Sequence, residues 1–351
     1  MYKIIDLFCG IGGFSYGFEM TNKFKTILGV DFWETALETF KKNHPQTEIK
    51  CENVRELDKE TLKKYIKKTD VIIAGPPCQG FSMSGRRDVL DERNNLFKEV
   101  IRVVKIVKPR VVVIENVLGL LSMKTPQGEE VKNKIESELK FLGYHVKTSV
   151  LNASEYGVPQ NRKRVIFIAS LIDNIKFPEP KYGLKKLPLI SVGDAIGNIP
   201  NNEKRYLKAE NKFQKLMSGN KNILNHEPIK HSFLVTKRMS KVPNGGNWQD
   251  IPIELGQGGG KHSNNYRRLD INLPSITIKH VSKSMIIHPV YDRTPTVREV
   301  ARIQSFSDDF ELKGTKYDQY QQLANAVPPL LGKSIAEAVL EMLGEYNAQN
   351  D

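Results

Sequence analysis

Apolar residues in the first half of the chain follow two spacings in turn. Compact apolar runs fall at residues 2–8, 26–30, 71–74, 111–114 and 165–169, as in strands buried within a sheet, and residues 145–151 read as a further strand. Between them, residues 12–20, 35–43, 96–107 and 131–142 repeat their apolar positions at helical spacing. Val111, Val112, Val113 and Ile114 are β-branched in succession, as expected of a central parallel strand. Strands alternating with such helices predict a doubly wound α/β sheet.

The pattern changes after Ile175. Phe177-Pro178-Glu179-Pro180 is a boundary signal. Beyond it, short apolar pieces are separated by Asn, Gly, Pro and Lys, with loop-like stretches at 244–247 and 256–260. This segment is expected to form a second, smaller, mostly β domain. Helical spacing returns at 296–304 and 332–343. The reading is therefore one domain from 1–176 with 320–351, a second from 177–294, and a hinge segment at 295–319.

Composition narrows the class. The chain has 351 residues, 39% hydrophobic and 26% charged, which fits a folded chain and not a disordered one. No apolar run approaches the roughly 20 residues that span a bilayer. The opening residues lack a signal-peptide pattern, since Asp6 interrupts a short apolar run. A cytoplasmic protein with no membrane partner is expected. Cys9, Cys51 and Cys78 are the cysteines, with no Cys-x-x-Cys and no His-x-x-x-His, so neither a disulfide framework nor a metal site is expected. Charge is uneven. From Lys176 to Tyr320 there are 24 Lys and Arg against 14 Asp and Glu, and elsewhere 29 against 26. The middle-to-late segment is where an anionic polymer would bind, although a solubilising surface would show the same excess.

Several stretches carry candidate chemistry. Gly10, Gly12 and Gly13 form a turn between the first strand and first helix, where backbone approaches a ligand closely. Their spacing is not the Gly-x-Gly-x-x-Gly of dinucleotide sites. Asp31 ends the second strand and can accept both hydroxyls of a ribose, with Phe32 beside it to stack on a base. A tight turn and a solvated Asp would look the same. Next, Gly75-Pro76-Pro77-Cys78 follows a buried strand. Two prolines stiffen the approach to Cys78, and a basic loop rich in Ser and Gly follows, to 95. A stiffly mounted cysteine before such a loop suits a nucleophile covered after substrate binds. Finally, Glu115 directly follows the β-branched run, and Gln160-Asn-Arg162-Lys-Arg164 precedes another strand. Alternation would point Arg162 and Arg164 the same way. Taken singly, a capping acid and a basic edge are the plainer readings.

Together these residues resemble the DNA (cytosine-5)-methyltransferase family, of the bacterial restriction-modification type. The resemblance runs from Asp6 to Gly332 with the motifs in the family's order. Phe8-Cys-Gly10-Ile-Gly12-Gly13 resembles the cofactor loop, Pro76-Pro77-Cys78-Gln79 the nucleophile motif, and Glu115-Asn116-Val117 the acid motif. Gln160-x-Arg162-x-Arg164 is similar to the paired-arginine motif, Arg298-Glu-x-Ala-Arg302 to the hinge-side motif, and Gln322-Leu-Ala-Asn325-Ala-Val-Pro-Pro to the last motif.

The resemblance implies a Rossmann-like S-adenosylmethionine-dependent methyltransferase domain, with a target-recognition domain in the variable segment. It implies methyl transfer from S-adenosyl-L-methionine to C5 of a flipped cytosine in double-stranded DNA. Cys78 would attack C6, Glu115 would bind N3 and the exocyclic amine, Arg164 would contact O2, and Arg162 would help position nucleophile and acid. Phe8, Gly10, Gly12, Gly13, Asp31, Phe32, Asn53, Pro76, Leu96 and Asn325 would line the cofactor site. Gln79, Ser82, Ser84, Arg86 and Arg87 would meet DNA from the loop. Lys237, Arg238, Asn247, Trp248, Arg267 and Arg268 would meet it from polar stretches of the variable segment. Asn53 departs from the family's usual Asp, Phe32 stands where a Trp is sometimes found, and Ser307 replaces a common Pro. By analogy the enzyme would act as a monomer and protect host DNA from a partner endonuclease. The alternative is a transfer-RNA cytosine-5 methyltransferase. A DNA-binding relative without catalysis and a nicotinamide oxidoreductase fit less well, given Cys78, Glu115 and the glycine spacing.

Overall fold

The computed structural model describes residues 1–77, 96–219, 222–256 and 263–350. Two compact units emerge. The first comprises Met1–Asn152, Lys163–Glu179 and Leu331–Asp351, the second Ala153–Arg162 and Pro180–Leu330.

The first unit holds a seven-stranded sheet. Its strands are β1 (Tyr2–Leu7), β2 (Phe24–Asp31), β3 (Glu48–Cys51), β4 (Val71–Ala74), β5 (Val111–Val117), β6 (His145–Asn152) and β7 (Lys163–Ser170), in the order β3-β2-β1-β4-β5-β7-β6. β1 to β5 are mutually parallel, whereas β7 runs antiparallel between β5 and β6. The sheet is therefore mixed, and β5 is parallel on one side only. The linking helices are α1 (Gly13–Glu19), α2 (Glu34–Asn43), α3 (Lys59–Lys63), α4 (Leu96–Val107) and α5 (Val131–Phe141).

Strand alternation decides which helix covers which face. Ile5, Leu7, Ile72, Ala74, Val112 and Ile114 pack with the apolar sides of α3, α4 and α5. Residues of the other parity turn the opposite way. Among them is Asp6, which accepts a hydrogen bond from Ser15 Oγ of α1 at 2.6 Å. The helix α12 (Pro329–Asn350) closes on α1, where a Cβ at Gly332 would lie 3.3 Å from Phe14 O. Near its end, Lys176 Nζ meets Glu345 Oε1 at 2.7 Å, and Asn174 also bonds Glu345.

The second unit corrects an expectation. It is not mostly β. Its described residues hold isolated bridges, such as Gln160 with Ser275 and Arg268 with Ile287, and no extended strand. Short helices dominate: α6 (Val192–Ile196), α7 (Lys212–Met217), α8 (Phe233–Met239), α9 (Val281–Ser284), α10 (Val297–Ile303) and α11 (Lys316–Asn325). Buried arginines take the place of a ladder, because one guanidinium carries five donors. Arg268 donates to the carbonyls of Val242, Met239, His288 and Tyr291 and to Asp292. Arg298 gathers those of Leu224, Ser307 and Phe310. Arg302 pairs with both oxygens of Asp308, at 2.7 and 2.6 Å, and reaches Ala195 O. No described helix is long and apolar enough to cross a membrane.

Candidate active site

Parallel strands end on one edge, and most of the sequence-predicted residues of the first unit stand there. After β1, Phe8 and Gly10 adopt left-handed backbone, with φ of 59° and 52°. Left-handed φ at Phe8 costs about 1–2 kcal/mol, spent where the chain must turn before α1. Cys9 N donates to Val30 O at 3.1 Å, and Gly12 N to Cys9 O at 2.8 Å, closing the turn. Gly12, with φ 81°, caps α1, and Gly13 is its buried first residue. Beneath it lies buried His44, whose Nδ1 is 2.8 Å from Glu19 Oε2.

A side chain at Gly12 has nowhere to go. An added Cβ would sit 2.5 Å from His44 Nε2 and 2.7 Å from Phe40 Cδ2. Gly12→Ala is expected to lose about 1–2 kcal/mol from backbone alone, more from the overlap, and to weaken cofactor binding. Thermal unfolding and cofactor titration check this. An unchanged melting temperature would contradict it.

Asp31 ends β2 with both carboxylate oxygens fixed. Gly10 N donates to Oδ2 at 2.8 Å and Trp33 N to Oδ1 at 2.9 Å. Burial pushes its carboxyl above the usual range, while these N–H groups pull it back. The neighbouring Phe32 ring is 69% exposed. A half-buried, oriented carboxylate beside an open aromatic ring fits a nucleoside, with hydroxyls on the acid and a base on the ring. Half-buried Asn53 follows β3, and its Oδ1 accepts from Arg55 N at 3.1 Å. Arg102 holds the same turn through Val54 O and Leu57 O. Leu96 is buried at the start of α4, and Pro76 is buried after β4. Asn325, in the second unit, is exposed at the end of α11 and accepts from Gln321 Nε2.

Asp6 was not singled out from sequence. Its burial pushes the carboxyl up to about 8, against the Ser15 hydrogen bond that lowers it. An unfolded Asp titrates near ~3.9. Between those values the unfolded chain ionises while the folded one keeps its proton. This group therefore stabilises the fold below about pH 4 and loses that contribution as pH rises toward 8. Asp6→Asn removes the penalty, worth up to about 1.4 kcal/mol per pH unit in that window. Its melting temperature should gain on wild type more at pH 8 than at pH 5. Parallel pH profiles would contradict this.

The acid stands further along the same edge. β5 continues past the β-branched run, so Glu115 lies within the strand, paired with Ile166. Because β7 is antiparallel, its first residues arrive at this edge, and Arg164 faces Val117. Glu115 and Arg164 are thus diagonal neighbours. Arg164 Nε lies 2.7 Å from Glu115 Oε1 as an ion pair, without the alignment of a hydrogen bond. Glu115 is only 8% exposed. Asn116, to which the sequence reading gave no role, ties the acid to the cysteine approach, for its Nδ2 donates to Pro76 O at 3.1 Å. Gly75 N donates to Leu7 O at 3.2 Å, and a Cβ at Gly75 would be 3.9 Å from Glu115 Oε2. The described approach ends at Pro77. Cys78, Gln79, Ser82, Ser84, Arg86 and Arg87 lie outside the described residues.

The two arginines of the 160–164 motif have separate partners. Arg162 is buried in the second unit and donates from Nη2 to Ala324 O at 3.0 Å, whereas Arg164 serves Glu115. Gln160 is fully buried with neither amide atom hydrogen-bonded. Its loop is held by Asn161 N to Ser275 O and by Ser275 N to Pro159 O.

Of the cations expected to meet DNA, Lys237 is exposed and Arg267 half-buried. Arg238 is half-buried and donates from Nε to Leu255 O at 2.8 Å. Arg268 is a correction. Its buried guanidinium is consumed by four carbonyls and Asp292, so it shapes the unit and has no donor to offer a base. Asn247 caps the 3-10 turn Trp248–Asp250, its Oδ1 accepting from Gln249 N.

Known proteins resemble this chain along nearly its whole length. The chain is 41% identical over 345 residues to the Type II methyltransferase M1.HphI of Haemophilus parahaemolyticus, covering 96% of this chain and 86% of that one. It is 38% identical over 380 residues to the Type II methyltransferase M.DdeI of Desulfomicrobium norvegicum, covering 99% and 91%. In structure it is similar to a candidate DNA modification methyltransferase encoded within an E. coli prophage, with TM-score 0.81, 26% identity and coverage of 98% and 100%. The S. pombe Dnmt2 methyltransferase, at 16% identity and TM-score 0.64, shares the fold. The family described as C-5 cytosine-specific DNA methylase matches residues 2–341, and the chain belongs to that family.

Proposed function

We propose that Cys78, Glu115 and Arg164 carry out the methyl transfer that defines this family, onto C5 of a cytosine in duplex DNA. The observation that carries the assignment is the buried Glu115, paired with Arg164 and tied through Asn116 to the approach to Cys78. Cytosine C5 is a poor nucleophile. The Cys78 thiolate forms a bond to C6, and the displaced π electrons make C5 nucleophilic. Glu115 holds the charge developing at N3 by a hydrogen bond. S-adenosyl-L-methionine, when bound, supplies an electrophilic methyl group on a sulfonium sulfur. Phe8, Gly10, Asp31, Phe32 and Asn53 would hold it by turn, carboxylate and ring. Once C5 is methylated, its proton leaves to solvent, the C5–C6 double bond re-forms, and the Cys78–C6 bond breaks.

Inside a duplex neither C5 nor C6 can be approached by a thiol, so the target base must leave the stack. Gln79 and Ser84 would fill the space it leaves. Arg162, buried with its Nη2 on Ala324 O, would shape its own loop, and residues 177–294 would recognise the target. The Type II relatives favour DNA over the transfer-RNA alternative and suggest protection of host DNA from an endonuclease cutting the same sequence. The enzyme would act as a monomer in the cytoplasm. Duplex DNA containing 5-fluorocytosine tests the chemistry, since fluorine at C5 cannot leave as a cation. With cofactor present, a stable protein–DNA adduct should map to Cys78 by peptide mass spectrometry. An active enzyme giving no adduct, or one on another residue, would contradict the assignment.

A further inference from the structure

Helix α8 presents two unlike sides. Val235 and Met239 pack with Val242, Ile251, Tyr266 and Ile287. The other side leaves Phe233 83% exposed, with Leu234 exposed beside it. The helix start does not require an aromatic there, because Ser232 is the N-cap. Lys237 follows one turn on, its Nζ 5.9 Å from the centre of the Phe233 ring. Phe233 and Lys237, spaced by four, share one ridge of the helix, and exposed Lys241 lies just beyond the helix end at Met239. From Pro228 to Gln249 the chain has Lys230, Lys237, Arg238 and Lys241 and no acid at all. Arg238 is off the ridge, fastened to Leu255 O.

An acid-free, cationic stretch suits a polyanion, and an open apolar ring within it suits an apolar mark on that polyanion. In the major groove that mark is the 5-methyl group of thymine. We propose that α8 enters the major groove of the substrate duplex, with Phe233 against a thymine methyl and Lys237 and Lys241 on neighbouring phosphates. This rests on duplex DNA being the substrate. It adds a residue that reads sequence, on a ridge that the motifs do not include.

The test uses duplexes randomised around cytosine, methylated by wild type, Phe233→Ala, or the Lys237→Ala/Lys241→Ala double variant, and read by bisulfite sequencing. Wild type should require thymine at one position. Phe233→Ala should relax that requirement about tenfold and leave the rest of the profile intact. Deoxyuridine at that position should slow wild type by a similar factor and leave Phe233→Ala unaffected, a comparison that stands even if the variant folds poorly. The lysine variant should bind all sequences more weakly and reduce the salt slope by about 2. A Phe233→Ala profile matching wild type, an even loss across all sequences, or a wild type indifferent to the methyl would each overturn the proposal. A wild type that methylates nothing would instead overturn the DNA reading on which it rests.

Discussion

Replacing Cys78 with alanine is expected to abolish methyl transfer, by on the order of 10^4- to 10^6-fold, while the variant still folds and binds cofactor. Without addition at C6, C5 never becomes nucleophilic enough to take a methyl group. Neither remaining cysteine can stand in. Cys9 is buried within the turn after β1, and burial, with Asp6 and Asp31 nearby, pushes its thiol well above the ordinary range. It cannot supply a thiolate. Cys51 is exposed at the end of β3, paired with Asp31 in the sheet register, away from β4 and β5. The assay is transfer of labelled methyl to DNA, with cofactor affinity measured alongside. Turnover within tenfold of wild type would remove Cys78 from the mechanism.

Glu115→Gln is expected to lower kcat by about 10^2- to 10^4-fold, the usual worth of a positioned acid. Glutamine keeps the size of the side chain and can still receive Arg164 through its carbonyl oxygen, so the fold should hold. What it cannot do is supply an acid's proton at N3. The loss should therefore appear in kcat, with cofactor affinity and melting temperature close to wild type. Glu115→Ala would be less informative, because it also leaves the Arg164 guanidinium without its carboxylate. A Glu115→Gln enzyme with unchanged kcat would reduce the residue to a structural partner of Arg164.

Much of the first unit was legible because its apolar spacing is strong. α4 runs from Leu96 to Val107 as the periodicity predicts. β5 extends beyond Ile114 because β7 pairs with it as far as Val117, and cross-strand pairing leaves no apolar trace in one strand. β3 was missed for a related reason. It lies at the sheet edge with no fully buried residue, so Glu48-Ile-Lys-Cys51 carries no core pattern. The second unit was misread because its interior is organised by charge. Arg268, Arg293, Arg298 and Arg302 look like surface residues in sequence, yet all are buried, and Arg293 forms two 2.8 Å bonds to Glu299. Their acidic partners are buried or close by, so the +10 surplus of that segment largely belongs to other residues.

The site divides in the same way. Glycine spacing, the strand-end acids and the cysteine between prolines and a polar loop are local, and sequence displays them. The Asn116 bond to Pro76, the Ser15 bond to Asp6 and the packing of His44 under Gly12 join residues on different elements. Sequence spacing alone does not bring these together.

The most direct test is bisulfite sequencing of duplex DNA incubated with the purified protein and S-adenosyl-L-methionine. Protected cytosines in one short recurring sequence, absent with Cys78→Ala, are the predicted result. Uniform conversion of every cytosine, by a folded protein that binds the cofactor, would contradict methylation of DNA by this chain.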